Sequence, residues 1–219
     1  MTTSDFVILA HRGLWDDHPE NSMSAITAAL DEGFGLEIDV RVTSDDIPVL
    51  IHDEDTGRLT GQRLSVADST FAELMSLRFK NSHESIARLS DVLSLETIHG
   101  KEIALHLKEI RHNNMAELLL DAIPQAALAS TFVFDIPLPL CRRLKELEPQ
   151  LRVGVSVGDK KYHPYFYDLE DLSDGTVDII WADEYRNLYS KEFFKKIQSI
   201  GMTTYVVSPD IASLVGHPL

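Results

Sequence analysis

The chain predicts an α/β fold, a compact closed parallel (β/α)8 TIM barrel with a short or missing final helix. Three observations carry this expectation. Short apolar runs rich in Val, Ile, Leu and Phe recur eight times along 219 residues. Segments with helical periodicity separate most of them. Gly33, Gly100 and Gly201 each stand just past such a segment, where a residue in the left-handed region ends a helix. A doubly wound open sheet is the alternative arrangement of the same elements.

The first run, residues 6–10, leads through a polar stretch to a helix over 22–32. Asn21 or Ser22 can cap that helix, and Met23, Ile26 and Leu30 mark one face of it. Residues 36–41 and 49–52 are the next two strands, short and apolar enough to be buried parallel staves. The stretch 53–90 that follows is long and holds a helix near 69–77. A helix over 91–99 leads to strand four at 103–108, and one over 113–122 leads to strand five, Thr131–Phe134. A helix over 139–147 delivers strand six, Arg152–Val157. Residues 158–175, with Tyr162, Tyr165 and Tyr167, read as a loop. Strands seven and eight, 177–182 and Thr203–Val207, flank a helix at 191–200. Too few residues follow Val207 for a full closing helix.

Composition narrows the class. With 44% hydrophobic and 25% charged residues, and no linker or low-complexity tract, the expectation is a single domain over 1–219 with a sizeable core. A net charge of −15 repels nucleic-acid backbones and anionic membranes, so the expected partner is a small molecule and not nucleic acid. Cys141 is the only cysteine, so no intrachain disulfide can form. No apolar run approaches the roughly 20 residues of a membrane span, and no basic leader precedes the first strand. A cytoplasmic protein is expected.

Polar residues interrupt the apolar strands in a pattern. His11-Arg12 follows strand one. Glu37 and Asp39 are two apart on strand two, so they share a face opposite Ile38 and Val40. His52 ends strand three. His106 and Lys108 are two apart at the end of strand four, opposite Leu105 and Leu107. In a barrel these strand ends form one rim, where active sites collect. Polar groups buried in apolar strands are costly unless paired or functional. The set suits metal-assisted phosphodiester cleavage. Carboxylates hold a hard cation, and an arginine fork and a lysine match phosphate oxygens. Two imidazoles can serve as acid and base near neutral pH. Trp181, Asp183 and Tyr205, on the last two strands or at their ends, are candidates for shaping a substrate pocket.

In order and spacing, His11-Arg12-Gly13, Pro19-Glu20-Asn21-Ser22, Glu37-x-Asp39, Thr43-Ser44-Asp45-Asp46 and His52-Asp53 resemble the glycerophosphodiester phosphodiesterase family. The likeness is dense over residues 8–60 and continues through residues 87–93 and Lys108. The strand that carries Tyr205 sits where the family has its final barrel strand. The resemblance implies a phospholipase-C-like barrel that hydrolyses a glycerophosphodiester to an alcohol and glycerol 3-phosphate, in lipid metabolism. It implies His11 and His52 as the acid/base pair, and Arg12 and Lys108 as phosphate ligands. Glu37 and Asp39 would hold a divalent metal, Mg²⁺ or Ca²⁺, while Glu20 and Asp53 would support the histidines.

Two positions depart from the family pattern. His106 stands where the family carries a third metal-binding glutamate, and imidazole suits Mn²⁺ or Zn²⁺ better than Mg²⁺ or Ca²⁺. Asp46 stands where a turn glycine is expected, and the helical insertion is short, which opens the rim. The residues leave open three outcomes: hydrolysis of the glycerophosphodiester, release of a cyclic phosphate from another phosphodiester, or a binding barrel without turnover.

Overall fold

The computed structural model describes residues 7–111, 113–157, 167, 172, 174–183 and 191–207. The chain divides into two compact units, Met1–Phe132 and Val133–Leu219.

In the first unit, β1 (Leu9–His11) leads to α1 (Met23–Asp31) and then to β2 (Gly35–Val42), which runs parallel to β1. The Ser22 hydroxyl accepts from the Ala25 amide at 3.2 Å and starts α1, while Gly33, at φ 89°, follows its end. Ala25, Ile26, Ala29 and Leu30 form the buried face of α1. Every residue of β2 is buried, so both of its faces are covered.

The third strand departs from expectation. β3 (Pro48–Leu50) pairs antiparallel with β2, with Val40 opposite Leu50 and Val42 opposite Pro48. It is the return arm of a hairpin and not a parallel stave. The physical reason is the length of the connection: residues 43–47 are too few for the crossover that parallel strands need, about a dozen residues. Asp46, at φ 62°, takes the left-handed turn position where a glycine is the usual residue.

Beyond β3 come α2 (Gly57–Thr60), α3 (Phe71–Ser76) and α4 (Leu89–Leu93). A reciprocal capping box starts α3. The Thr70 hydroxyl accepts from the Glu73 amide, and the Glu73 carboxylate accepts from the Thr70 amide at 2.7 Å. Val49, Ile51, Val66, Phe71, Leu74, Phe79 and Ile86 form a packed apolar cluster, so the long stretch after β3 folds back onto that strand. β4 (Ile103–Leu107) then returns parallel to β2, and α5 (Met115–Ala122) follows.

The division between units falls within β5 (Thr131–Phe134). In the second unit α6 (Leu138–Leu147) leads to β6 (Arg152–Val157), which pairs in parallel with β7 (Ile179–Asp183). α7 (Lys191–Ser199) precedes β8 (Thr203–Val207), parallel to β7. Lys145 of α6 reaches both oxygens of Asp178, at 3.3 and 3.1 Å, and one of these accepts from the Val153 amide at 2.9 Å. That joint ties α6 to the start of β7. The expected loop over 158–175 lies mostly outside the described residues, and the residues after Val207, where a short or missing final helix is expected, lie wholly outside them. Among the described residues no helix is long and apolar enough to cross a membrane.

Candidate active site

Strand register builds the site. His11 is aligned with Glu37 across β1 and β2, and Asp39 with His106 across β2 and β4. Glu37 and Asp39 are 3% and 1% exposed. Burying two carboxylates so close together is costly unless cations or donors offset their charge. Four groups face them. His106 Nδ1 lies 3.3 Å from Glu37 Oε1 and 3.5 Å from Asp39 Oδ1. Lys108 Nζ lies 3.6 Å from Asp39 Oδ1, and His11 Nε2 lies 3.8 Å from Glu37 Oε2. Arg12 Nε lies 3.1 Å from Asp39 Oδ2 but off the hydrogen-bond line, so it acts there as charge. Burial pushes the Asp39 carboxyl up, but the charges of Lys108, His106 and Arg12 outweigh it and hold the group below the usual carboxylate range.

One oxygen of each carboxylate, Glu37 Oε2 and Asp39 Oδ1, is buried without a hydrogen bond. Glu37, Asp39 and His106 each bring a ligand atom within 4.8 Å of the others. Two carboxylate oxygens lacking donors and one imidazole nitrogen are a fitting donor set for a divalent cation.

A second chain of contacts orients the groups around that cluster. His52 Nδ1 bonds Asp53 Oδ1 at 2.8 Å. Arg58 of α2 donates through Nε to Asp53 Oδ2 at 2.5 Å and through Nη1 to Glu20 Oε2 at 3.0 Å. Its Nη2 reaches Glu20 Oε1, which also accepts from Arg12 Nη1 at 3.0 Å. Burial raises the Asp53 carboxyl, but Arg58 and His52 draw it down to about 2. Glu20 is likewise held low against its burial, by Arg58 and Arg12. Burial lowers the His52 imidazole, and the nearby Lys108 and Arg12 charges add to that against the pull of Asp53 and Asp39.

The loop after β1 is shaped for this. Arg12 and Asn21 take positive φ, 60° and 55°, and Gly13 takes 80°. A side chain at Gly13 would meet the Ala25 backbone at 2.6 Å, so α1 can pack against the loop only because residue 13 has no Cβ.

The first unit therefore brings together His11, Arg12, Glu20, Glu37, Asp39, His52, Asp53, His106 and Lys108, all of them expected from the sequence. Three more residues belong to the site. Asn21, read as a possible helix cap and as part of the Pro19–Ser22 motif but given no site role, bonds both the side chain and the backbone of Asp39. Arg41 donates to the His52 carbonyl at 2.9 Å and pairs with Glu109 at 3.2 Å. Its sequence signal was the same odd-numbered spacing that links Glu37 and Asp39. Arg58 is the third, and its signal was weak: one cation in the polar stretch after His52-Asp53.

In the second unit, the buried Trp181 stacks on Phe134 with centroids 4.1 Å apart and lies 6.0 Å from the ring of Tyr205. Asp183 ends β7, and its side chain lies outside the described residues.

The glycerophosphoryl diester phosphodiesterase family matches residues 11–168. The chain belongs to this family of phosphoric diester hydrolases. YqiK of Bacillus subtilis (strain 168) is 32% identical over 169 residues, covering 71% of this chain and 68% of that protein. Glycerophosphodiester phosphodiesterase 1 of Rattus norvegicus is 33% identical over 124 residues, covering 52% of this chain but only 37% of its own length. The fold of an Oleispira antarctica phosphodiesterase, solved in complex with the product sn-glycerol-3-phosphate, superposes with a TM-score of 0.74 at 21% identity, covering 93% of this chain and 84% of that one. This likeness assigns the chain to the TIM-barrel α/β class.

Proposed function

We propose that this chain is a divalent-metal-dependent phosphodiesterase that cleaves a glycerophosphodiester-like substrate to an alcohol and glycerol 3-phosphate. The observation that carries the reading is the pair of buried carboxylate oxygens without donors, set beside an imidazole and two cationic side chains. Family membership and the product bound in the Oleispira relative support the substrate class.

In this reading Glu37, Asp39 and His106 hold the cation, which when bound offsets the charge on the phosphate. Arg12 and Lys108 bind the phosphate oxygens. His52 is the base. Asp53 takes Nδ1, so Nε2 is left for the proton, and burial favours the neutral ring. It withdraws a proton from the attacking hydroxyl, which is either water or the substrate's neighbouring alcohol; in the second case a cyclic phosphate forms first and water then opens it to glycerol 3-phosphate. The P–O bond to the leaving alcohol breaks, and His11, more open to solvent, supplies the proton that alkoxide needs. Glu20 and Asp53 hold Arg12 and His52 in place. The family match crosses the boundary between the two units, which supports one catalytic domain over the whole chain. A cytoplasmic location and a small-molecule partner complete the reading.

Assay of a panel of glycerophosphodiesters after chelation, with Mg²⁺, Ca²⁺, Mn²⁺ or Zn²⁺ restored in turn, tests it. Turnover that needs metal, with glycerol 3-phosphate seen by phosphorus NMR, is the expected result. Binding without turnover under every metal overturns it.

A further inference from the structure

The chain of contacts around Arg58 has a property that the roles above do not use. One guanidinium spans two carboxylates from separate loops: Glu20, after β1, and Asp53, after β3. Each carboxylate spends its other contacts on a different working group. Asp53 holds the His52 ring nitrogen at 2.8 Å, and Glu20 holds Arg12 at 3.0 Å. We propose that Arg58 is a positioning residue that sets the acid/base imidazole and the phosphate-binding guanidinium together.

The chemistry of arginine explains why this residue type stands there. Its planar fork presents donors in fixed directions and keeps its charge at any working pH. Nε serves one carboxylate, and the two terminal nitrogens serve the other. A lysine at 58 would offer a point charge but could not align both partners. Asp53, tied at Oδ2 by Arg58, can present Oδ1 to His52 in only one orientation. That keeps the ring proton on Nδ1 and Nε2 free. The same guanidinium fixes Glu20, so Arg12 is left to aim its remaining donors away from Glu20. Arg58 is half exposed on the four-residue α2, so its removal leaves the buried core untouched.

The inference rests on the proposed roles of His52 and Arg12, but its first test needs neither substrate nor metal. Nitrogen–proton correlation NMR of the free protein reads the His52 tautomer directly. Wild type is expected as the Nδ1–H form. Arg58→Met is expected to give a mixture of tautomers in a protein that is less stable but still unfolds cooperatively. A single unchanged tautomer in Arg58→Met overturns the proposal, whatever the enzyme assay shows.

Kinetics then separate the two arms. Arg58→Met is expected to lower kcat by about 10- to 100-fold and to raise KM, with Arg58→Lys recovering only part of each. In an Asp53→Asn background, Arg58→Met should still raise KM but lower kcat little further. In a Glu20→Gln background the reverse should hold. Full recovery by Arg58→Lys, or losses that simply multiply in both backgrounds, would show that Arg58 acts only as a local charge, and the proposal fails.

Discussion

Asn21 and Asp39 hold each other from both sides. The Asn21 side-chain amide donates to Asp39 Oδ2 at 2.9 Å, and the Asp39 backbone amide donates back to Asn21 Oδ1 at 3.1 Å. The pair leaves Asp39 Oδ1 facing His106 and Lys108. Asn21 does this from a left-handed backbone position that asparagine tolerates. Glycine at 21 would keep the backbone and remove both bonds. Asn21→Gly is expected to cost about 1–3 kcal/mol in urea unfolding, and to weaken metal binding in calorimetry.

The donor set of two carboxylates and one imidazole sets the metal preference. Mg²⁺ and Ca²⁺ favour all-oxygen sites, whereas Mn²⁺ and Zn²⁺ accept nitrogen. Titration calorimetry on the chelated protein is expected to show tighter binding of Mn²⁺ or Zn²⁺ than of Mg²⁺. His106→Ala should weaken Mn²⁺ binding by at least about 10-fold and change Mg²⁺ binding less. Equal losses for both ions would remove His106 from the ligand set.

His52→Ala and His11→Ala are each expected to lower kcat by about 10²- to 10⁴-fold. Burial keeps His52 of the free protein below its ordinary pKa of 6.5, so the acid limb of the wild-type kcat/KM profile should lie below that pH. Wild-type rates in either variant would reject the acid/base pair.

Asp53 links the site to acid stability. Its folded pKa of about 2 lies below the ordinary 3.8, so the folded state binds its proton more weakly than the unfolded chain does. The stability this gives is complete above pH 3.8 and is lost as pH falls through 3.8 toward 2. Arg58→Met removes the leading cause that holds the group low, so its acid unfolding midpoint, followed by circular dichroism, is expected to move to higher pH.

Gly13 tests the loop geometry. Its φ of 80° and the Ala25 backbone 2.6 Å from any added Cβ make Gly13→Ala strained twice over. The expected loss is about 1–3 kcal/mol, measured by urea unfolding, together with weaker phosphate affinity because Arg12 is the preceding residue.

Much of this was legible in the sequence, because strand periodicity and element ends carry the site. The two-residue spacing of Glu37 and Asp39 placed both on one face, and the parallel register did the rest. All eight expected strands recur within a few residues. The antiparallel direction of β3 is not legible in its own residues, because an apolar run looks alike in either orientation. Only the five residues 43–47 distinguished a hairpin from a crossover. Asn21 and Arg58 were harder to see. Their partners are 18 and 38 residues away, for Asp39 and Glu20 respectively, and no local pattern marks such pairs.

The hairpin has an evolutionary consequence. The Ile51 amide bonds the Asp39 carbonyl, and Val49 bridges Arg88, so the stretch between Arg58 and Arg88 is pinned near both ends. Its apolar side chains pack on Val49 and Ile51, so the stretch is seated on the hairpin as on a fixed frame. The Ile51–Asp39 bond lies before that stretch, so the spacing between His52 and the acids is set by the hairpin itself. Changes at the solvent-facing positions of that stretch can therefore accumulate without moving the catalytic groups.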